Sequence, residues 1–128
     1  MDAEELTTRY DAGEREFQSV DLSGVDLYEA QLEGIDLSQA NLMNVNLSMA
    51  NLRSSKLSQA NLSDTNLRGT ILKGADLRQA NLSRADLSWS NISRANLTEA
   101  DLSEAKMKMA ILIGTRFNGT IMPDGKTR

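Results

Sequence analysis

Residues 40–62 of the chain read ANLMNVNLSMANLRSSKLSQANL, with Leu at every fifth position. The same spacing continues without interruption from Phe17 to Met122, and 17 of these 22 positions are Leu. An α-helix repeats every 3.6 residues and a strand every two, so neither keeps a five-residue spacing on one side. A coiled coil requires apolar steps that average 3.5 residues. The period therefore predicts a solenoid, in which short extended segments alternate with regular corners and successive coils stack.

The large apolar residue of each repeat, here called its centre, is expected to point inward. The residue two positions earlier is small or β-branched, as in the pair Ala40 and Leu42, with Arg15 the one exception. It should also point inward, because side chains alternate along an extended segment. A narrow interior cannot hold two large side chains per repeat, which favours the small residue. The other three residues of each repeat, including Ser63, are expected to point outward.

Many repeats fit the motif A-[D/N]-L-x-x in full, among them Ala40-Asn41-Leu42, Ala60-Asn61-Leu62, Ala75-Asp76-Leu77, Ala80-Asn81-Leu82 and Ala95-Asn96-Leu97. On these residues the chain resembles the pentapeptide repeat family, and its opening stretch, residues 4–15, is similar to the leader of small cyanobacterial members. The resemblance implies an all-β solenoid, a right-handed quadrilateral β-helix with four pentapeptides per coil and about five and a half coils. Basic or apolar residues replace Asp or Asn in the middle slot at Lys56, Ile71, Lys106, Ile111, Arg116 and Ile121.

The chain is interpreted as one domain with three segments: an N-terminal capping α-helix over 1–14, the repeats over 15–122, and a C-terminal turn or tail over 123–128. Asp2 is a suitable N-cap for the helix, and Gly13 is a suitable stop. Leu6 and Tyr10 share one face of the helix, which we expect to lie over the first coil. Pro123 and Asp124-Gly125 are typical of a turn.

Composition argues against catalysis, since the chain has no His and no Cys. We predict no catalytic residues, no cofactor and no metal site. The Asp and Asn side chains are instead expected to bond local backbone groups at the corners. The net charge of −4 argues against nucleic acid as a partner. No apolar run reaches membrane-spanning length, and the acidic N-terminus lacks the features of a signal peptide, so we expect no membrane association and a cytoplasmic location.

Residues that are four repeats apart fall on one face if four pentapeptides make a coil. The face of Leu22, Leu42, Leu62, Leu82 and Leu102, here the acidic face, carries five acids against one arginine. The face of Leu32, Leu52, Leu72, Ile92 and Leu112 carries a net charge of +2, from one acid and three basic residues. Some members of the family mimic duplex DNA and bind type II topoisomerases. Because duplex DNA carries one charge per about 1.7 Å, five acids fall short of that density.

The position two residues after the centre on a third face holds Met49, Gly69, Trp89 and Met109, which would stack on the surface. Aromatic and Met side chains are enriched in the centres of protein interfaces. At the C-terminal end, Ile113 and Met122 are expected to add apolar surface. We therefore predict possible protein contacts at Met49, Trp89, Met109, Ile113 and Met122; the alternative is that Trp89 merely covers its corner.

The expected function is that of a non-catalytic, soluble scaffold or protein-interaction module. The alternative is a DNA-mimicking modulator of a type II topoisomerase (gyrase). A monomer, with residues 123–128 folded back over the last coil, is slightly favoured over a C-terminal end-to-end dimer.

Overall fold

The computed structural model describes residues 1–128 and contains one helix, α1 (Ala3–Asp11), followed by a column of parallel β-bridges. The N-cap of α1 is Asp2, whose side chain accepts a hydrogen bond from the Glu5 N–H at 2.8 Å. The helix ends at Asp11 with Ala12 as its C-cap, and Gly13 follows in a left-handed conformation with φ of 105°. Both signals read from the sequence for the start and end of this helix are therefore confirmed.

Each repeat contributes a single bridge residue, the one before its centre, so the column contains isolated bridges instead of continuous strands. The parallel bridges all join residues that are four repeats apart, from Glu16 with Asp36 to Asp101 with Ile121. Four pentapeptides therefore make one coil. Bridges also form at the slots that depart from the motif, such as Lys106 and Ile111, because the backbone alone makes them.

The corners are turns, and in most of them the carbonyl of the centre accepts a bond from the N–H three residues on, as from Val25 to Leu22 at 3.1 Å. The third residue of the turn has a positive φ, which is the pattern of a type II turn. The Asp or Asn before the centre bonds the N–H two residues on: Asn41 Oδ1 accepts from Met43 at 3.2 Å. These bonds confirm that the Asp/Asn slot satisfies local backbone groups.

The core is a continuous stack of centre residues. Every centre from Phe17 to Leu102 is at most 2% exposed. Hydroxyl groups in the small inward slot also find partners, since Thr65 Oγ1 donates to the Leu42 carbonyl at 3.0 Å and Thr70 Oγ1 to the Leu47 carbonyl at 2.7 Å. The inward assignment of both positions therefore holds through the middle of the column.

The outward assignment is wrong for Ser63, which is only 2% exposed. Its Oγ folds back and donates to Asn61 Oδ1 at 2.7 Å. Ser83, Ser88 and Ser93, at the same place in other repeats, are also buried. At these four repeats the coils above and below cover the short side chain, while longer residues at this position, such as Arg53 and Arg68, reach solvent.

The first coil is in contact with α1. Leu6 is fully buried and belongs to the same apolar cluster as the centres. The Tyr10 hydroxyl donates to the Glu33 carbonyl at 2.6 Å, and the amino group of Met1 donates to the Asp21 carbonyl at 3.2 Å. The helix thus buries one face on this end, and the segment around it satisfies two free carbonyl groups of the coil.

The last residues fold back on the final coil and pair with it. Thr127 forms an antiparallel bridge with Ile121, and the Arg128 N–H donates to the Thr120 carbonyl at 2.8 Å. The Arg128 guanidinium lies 4.9 Å from the centre of the Phe117 ring. The tail covers only this side of the last coil. Leu112 is the centre of another repeat in that coil, and it remains 41% exposed.

Candidate protein-contact surface

Met49, Gly69, Trp89 and Met109, here called the Trp corner, follow one another along one edge of the column. Successive members of this set are one coil apart, and all occupy the same corner position. The side chains of Met49, Trp89 and Met109 are all more than half exposed. Parallel coils are spaced by about 4.8 Å, so the Trp corner forms a narrow apolar ridge along the column.

Gly69 is a notch in this ridge, and Met49 fills part of it. The three atoms nearest to where a Gly69 Cβ would stand all belong to the Met49 side chain, and its sulfur would be 2.5 Å away. Met49 therefore leans over the glycine, yet it and Trp89 are both 56% exposed. If Trp89 only covered its own corner, more than half of its surface would still be exposed to water.

The backbone at the Trp corner gives no reason for these residue types. Met49, Trp89 and Met109 have φ of 60°, 63° and 61°. The left-handed conformation costs an ordinary residue roughly 1–2 kcal/mol and suits glycine better. A large apolar side chain here therefore stabilises the column little, and its value lies in what it can contact.

A shallow cavity of about 330 Å³ lies between Met49 and Trp89, and Arg68 lines it. The Arg68 guanidinium is held by Asp86, with 3.1 Å between Nη1 and Oδ2. Burial raises the pKa of Asp86, but hydrogen bonds from Ser88 and Arg68 outweigh it and hold that pKa below its ordinary value. The ridge is thus bordered by a closed ion pair beside Met49 and Trp89, and by Lys108 beside Met109.

The other two predicted contact residues lie apart from this ridge, at the C-terminal end, and in different environments. Ile113 is 75% exposed, next to the partly uncovered Leu112. Met122 is half-buried against the core, and its N–H donates to the Lys126 carbonyl at 2.8 Å. The structure therefore exposes Ile113 and covers much of Met122. Leu112 has the same place in the repeat as the buried centres, and it is exposed because no further coil is stacked on it.

The acidic face is partly neutralised. Arg84 forms two hydrogen bonds to Asp64, from Nε to Oδ1 at 2.9 Å and from Nη2 to Oδ2 at 3.0 Å. These bonds lower the pKa of Asp64 and raise the pKa of Arg84. The middle of this face therefore presents a closed ion pair instead of a row of free carboxylates.

No group of three or more His, Cys, Asp or Glu side chains in the chain is arranged to hold a metal ion. The nine residues of α1 are too few for a helix that crosses a membrane.

The comparison with known families rests on the repeats themselves. The sequence matches the family of pentapeptide repeats in eight copies, over residues 21–59, 60–98 and 80–119. The chain belongs to the pentapeptide repeat family. Proteins of this family fold as right-handed quadrilateral β-helices, in agreement with the bridges that here join residues four repeats apart.

Two similar crystal structures come from cyanobacteria. The pentapeptide repeat protein alr5209 from Nostoc Pcc 7120 is 32% identical, with 90% of this chain and 94% of that chain covered and a TM-score of 0.76. Rfr23, from Cyanothece 51142, is 30% identical, with coverage of 89% and 95% and a TM-score of 0.58. The resemblance to small cyanobacterial members is therefore confirmed.

A more distant match is QnrB1, described as a plasmid-mediated fluoroquinolone resistance protein. It is 19% identical over 84% of this chain and 62% of that chain, with a TM-score of 0.38. At this level of similarity the match carries no argument about function. No curated protein matches the chain.

Proposed function

We propose that this pentapeptide repeat protein is a non-catalytic protein-interaction module that contacts its partner through the Trp corner. The observation that supports the proposal is the exposure of Met49, Trp89 and Met109, at 56%, 56% and 60%, on a backbone that does not need them. Contiguous exposed apolar surface marks contact sites in soluble proteins. Trp and Met are also enriched in interface centres.

The Trp corner is suited to a protein partner because its shape is fixed. At Met49 and Trp89 the next coil holds the corner backbone through bonds such as Trp89 N–H to the Lys108 carbonyl at 2.9 Å. A preformed surface loses little conformational entropy on binding. The neutral border formed by Arg68 and Asp86 favours an apolar side chain of the partner in the notch at Gly69.

A DNA-mimicking modulator of a topoisomerase is the second function considered, and the acidic face is the feature that favours it. The ion pair between Asp64 and Arg84 weakens this candidate, because it removes negative charge from the middle of the row. A gyrase supercoiling assay with the purified chain separates the two functions. Inhibition that survives loss of Trp89 would favour the mimic.

Affinity capture from the organism that encodes the chain tests the Trp corner. The intact protein is compared with the double variant Trp89→Ser, Met109→Ser and with Tyr28→Ser as a matched control. Tyr28 is also a large side chain more than half exposed, but it stands outside the corner position. A protein retained by the intact chain and by the control, but not by the double variant, supports the proposal. Equal retention by all three would contradict it.

We further propose a cytoplasmic monomer of about five and a half coils, with α1 as the cap of its first end. The burial of Leu6 and the bonds to the Asp21 and Glu33 carbonyls support the cap. The folded-back tail supports the monomer, and the exposed Ile113 favours the competing end-to-end dimer. Sedimentation of the intact chain beside Ile113→Lys decides: a dimer that the lysine dissociates would replace the monomer.

A further inference from the structure

A second surface feature lies away from the Trp corner, on two other faces of the column, and extends to the last coil. A cleft of about 460 Å³ occurs where the face of Leu72, Ile92 and Leu112 meets the face of Leu77, Leu97 and Phe117. Gly74 and Gly114 line it, together with Arg94, Asn96 and Arg116. The missing side chains of the two glycines, one coil below and one coil above Arg94, create the space. We call this feature the arginine cleft.

Arg94 and Arg116 are the only arginines of the chain without a partner. The other seven are each held by a carboxylate or an aromatic ring: Arg9 by Glu14, Arg15 by Tyr10, Arg53 by Glu33, Arg68 by Asp86, Arg78 by Asp76, Arg84 by Asp64 and Arg128 by Phe117. Arg94 and Arg116 make no ion pair and lie over no ring.

The backbone brings these two arginines to the same place. Arg116 is bridged to Asn96, so it stands directly one coil above that residue. Arg94 lies two residues before Asn96, and its Cγ would be 3.3 Å from a Cβ on Gly114, so its side chain leans over the glycine toward the coil of Arg116. Both arginines thus line one cleft, and like charges that face the same space repel each other until an anion joins them.

The cleft presents more donors than acceptors. Asn96 Oδ1 is occupied by the N–H and hydroxyl of Thr98, so the free part of this side chain is its NH₂ group. The single carboxylate of the lining, Asp76, is occupied by Arg78, with both of its oxygens bonded at 2.8 Å. The bonds from Arg78 also lower the pKa of Asp76, which keeps it ionised and paired. The remaining groups of Arg94, Arg116 and Asn96 can only donate.

From this arrangement we propose that the arginine cleft binds a phosphate group, free or carried by a small molecule. Guanidinium groups bond phosphate oxygens through two parallel donors, and a tetrahedral anion can meet donors that approach from three directions. A planar carboxylate matches one arginine and leaves the other donors unused. The volume falls in the range of small-molecule sites, about 300–1,000 Å³, so a phosphate ester fits as well as the free ion.

Nuclear magnetic resonance of the full ¹⁵N-labelled chain tests the proposal. Inorganic phosphate, glycerol phosphate and acetate are titrated separately at constant ionic strength, and the backbone amides of Gly74, Asn96 and Gly114 are followed. Both phosphate compounds should shift these amides in a saturable way, and acetate should bind at least about tenfold more weakly. Tighter binding of the ester than of the free ion assigns the cleft to a phosphorylated small molecule, and equal binding assigns it to free phosphate.

Two double variants separate the cleft from general charge. Arg94→Gln with Arg116→Gln, and Arg68→Gln with Lys108→Gln on another face, each lower the net charge by two, from −4 to −6. The first pair should weaken phosphate binding at least about tenfold, and the control pair less than about twofold, because distant charges are screened. Arg94→Lys, which keeps the charge but loses the planar fork, should weaken binding by an intermediate factor.

Three results would overturn the proposal: no saturable shift at Gly74 and Gly114, acetate binding as tightly as phosphate, or an equal loss in the two double variants. Failure of the Trp corner test would leave this result unchanged, since the two surfaces share no residue.

Discussion

The two ends of the column carry the same repeat, yet only one of them is closed on every side. At the first end, Phe17 and Leu22 are buried although no coil precedes them, since α1 lies over the coil. At the last end, the tail pairs with Thr120 and Met122, whereas Leu112 is 41% exposed. The burial of a Leu at the centre of a repeat therefore depends on what is stacked on it. Its place in the motif alone does not determine whether it is buried.

The backbone differs between the two ends in the same way. In the middle of the column, the N–H of each centre donates to the coil above, as from Leu62 to the Asn81 carbonyl at 2.6 Å. In the last coil, no backbone acceptor is bonded to the N–H groups of Met107, Met109, Leu112, Gly114 and Phe117. The tail instead provides acceptors for Gly119 and Met122. The open part of the last end is thus a short row of free donors beside exposed apolar side chains.

Truncation of centre residues should give the largest difference in the free energy of unfolding between covered and uncovered positions. Leu22→Ala at the first end and Leu62→Ala in the middle should each lower the free energy of unfolding by roughly 2–5 kcal/mol, as for other buried leucines. Leu112→Ala should cost less than about 1 kcal/mol, because much of its surface is already in water. Chemical denaturation measures all three. A loss at Leu112 equal to that at Leu62 would mean that the last end is covered in solution.

Removal of residues 1–13 should have the next largest effect. The deletion uncovers Phe17 and Leu22 and removes the buried Leu6, which together should cost roughly 2–4 kcal/mol of stability. The truncated chain should melt at a lower temperature or associate through its first coil. Scanning calorimetry and sedimentation give the two readouts. A monomer with an unchanged melting temperature would refute the role of α1 as a cover.

The repeat, the stacking of every fourth pentapeptide and the helix bounds could all be predicted from the sequence, since each follows from a strong local pattern or from the family motif. The five-residue spacing fixes the core, and Asp2 and Gly13 mark the ends of α1. The burial of Ser63 was not predicted, because it depends on neighbours one coil away on both sides. The arginine cleft was also missed. Its signal in the sequence is the pair Gly74 and Gly114, placed symmetrically on either side of Arg94, and it has meaning only once these positions are known to stack.

Ser63 offers a smaller test of the same stacking. Ser63→Ala leaves Asn61 without a hydroxyl donor in a covered position, which should cost about 1 kcal/mol. Ser103→Ala, in the same column but nearer the open end and only half-buried, should cost less than about 0.5 kcal/mol. Urea denaturation of the two variants compares them directly. Equal and negligible losses of stability in the two variants would contradict the burial of Ser63.

The smallest expected effect is on the stability of the fold at acidic pH. Burial raises the pKa of Asp36, but bonds from Ser38 and the charge of Lys56 hold it below its ordinary value. A lowered pKa in the folded state adds stability above the unfolded value near pH 4, and this stability is lost as the pH falls through the folded pKa. Asp36→Asn keeps an Oδ1 acceptor for the Ser38 N–H and removes the titration.

The melting temperature of Asp36→Asn should therefore fall less than that of the intact chain when the pH drops below about 4. Parallel melting curves of the two proteins between neutral pH and about pH 3 would contradict the assignment to Asp36.

Amide hydrogen exchange of the intact chain, resolved residue by residue, tests the difference between the two ends most directly. The account predicts slow exchange at the N–H groups of Leu22 and Leu62, which donate to the coils above them. It predicts exchange near the unprotected rate at Met107, Met109, Leu112, Gly114 and Phe117. Strong protection of these five amides would contradict the account, because it would mean that a second copy or another segment closes the last coil.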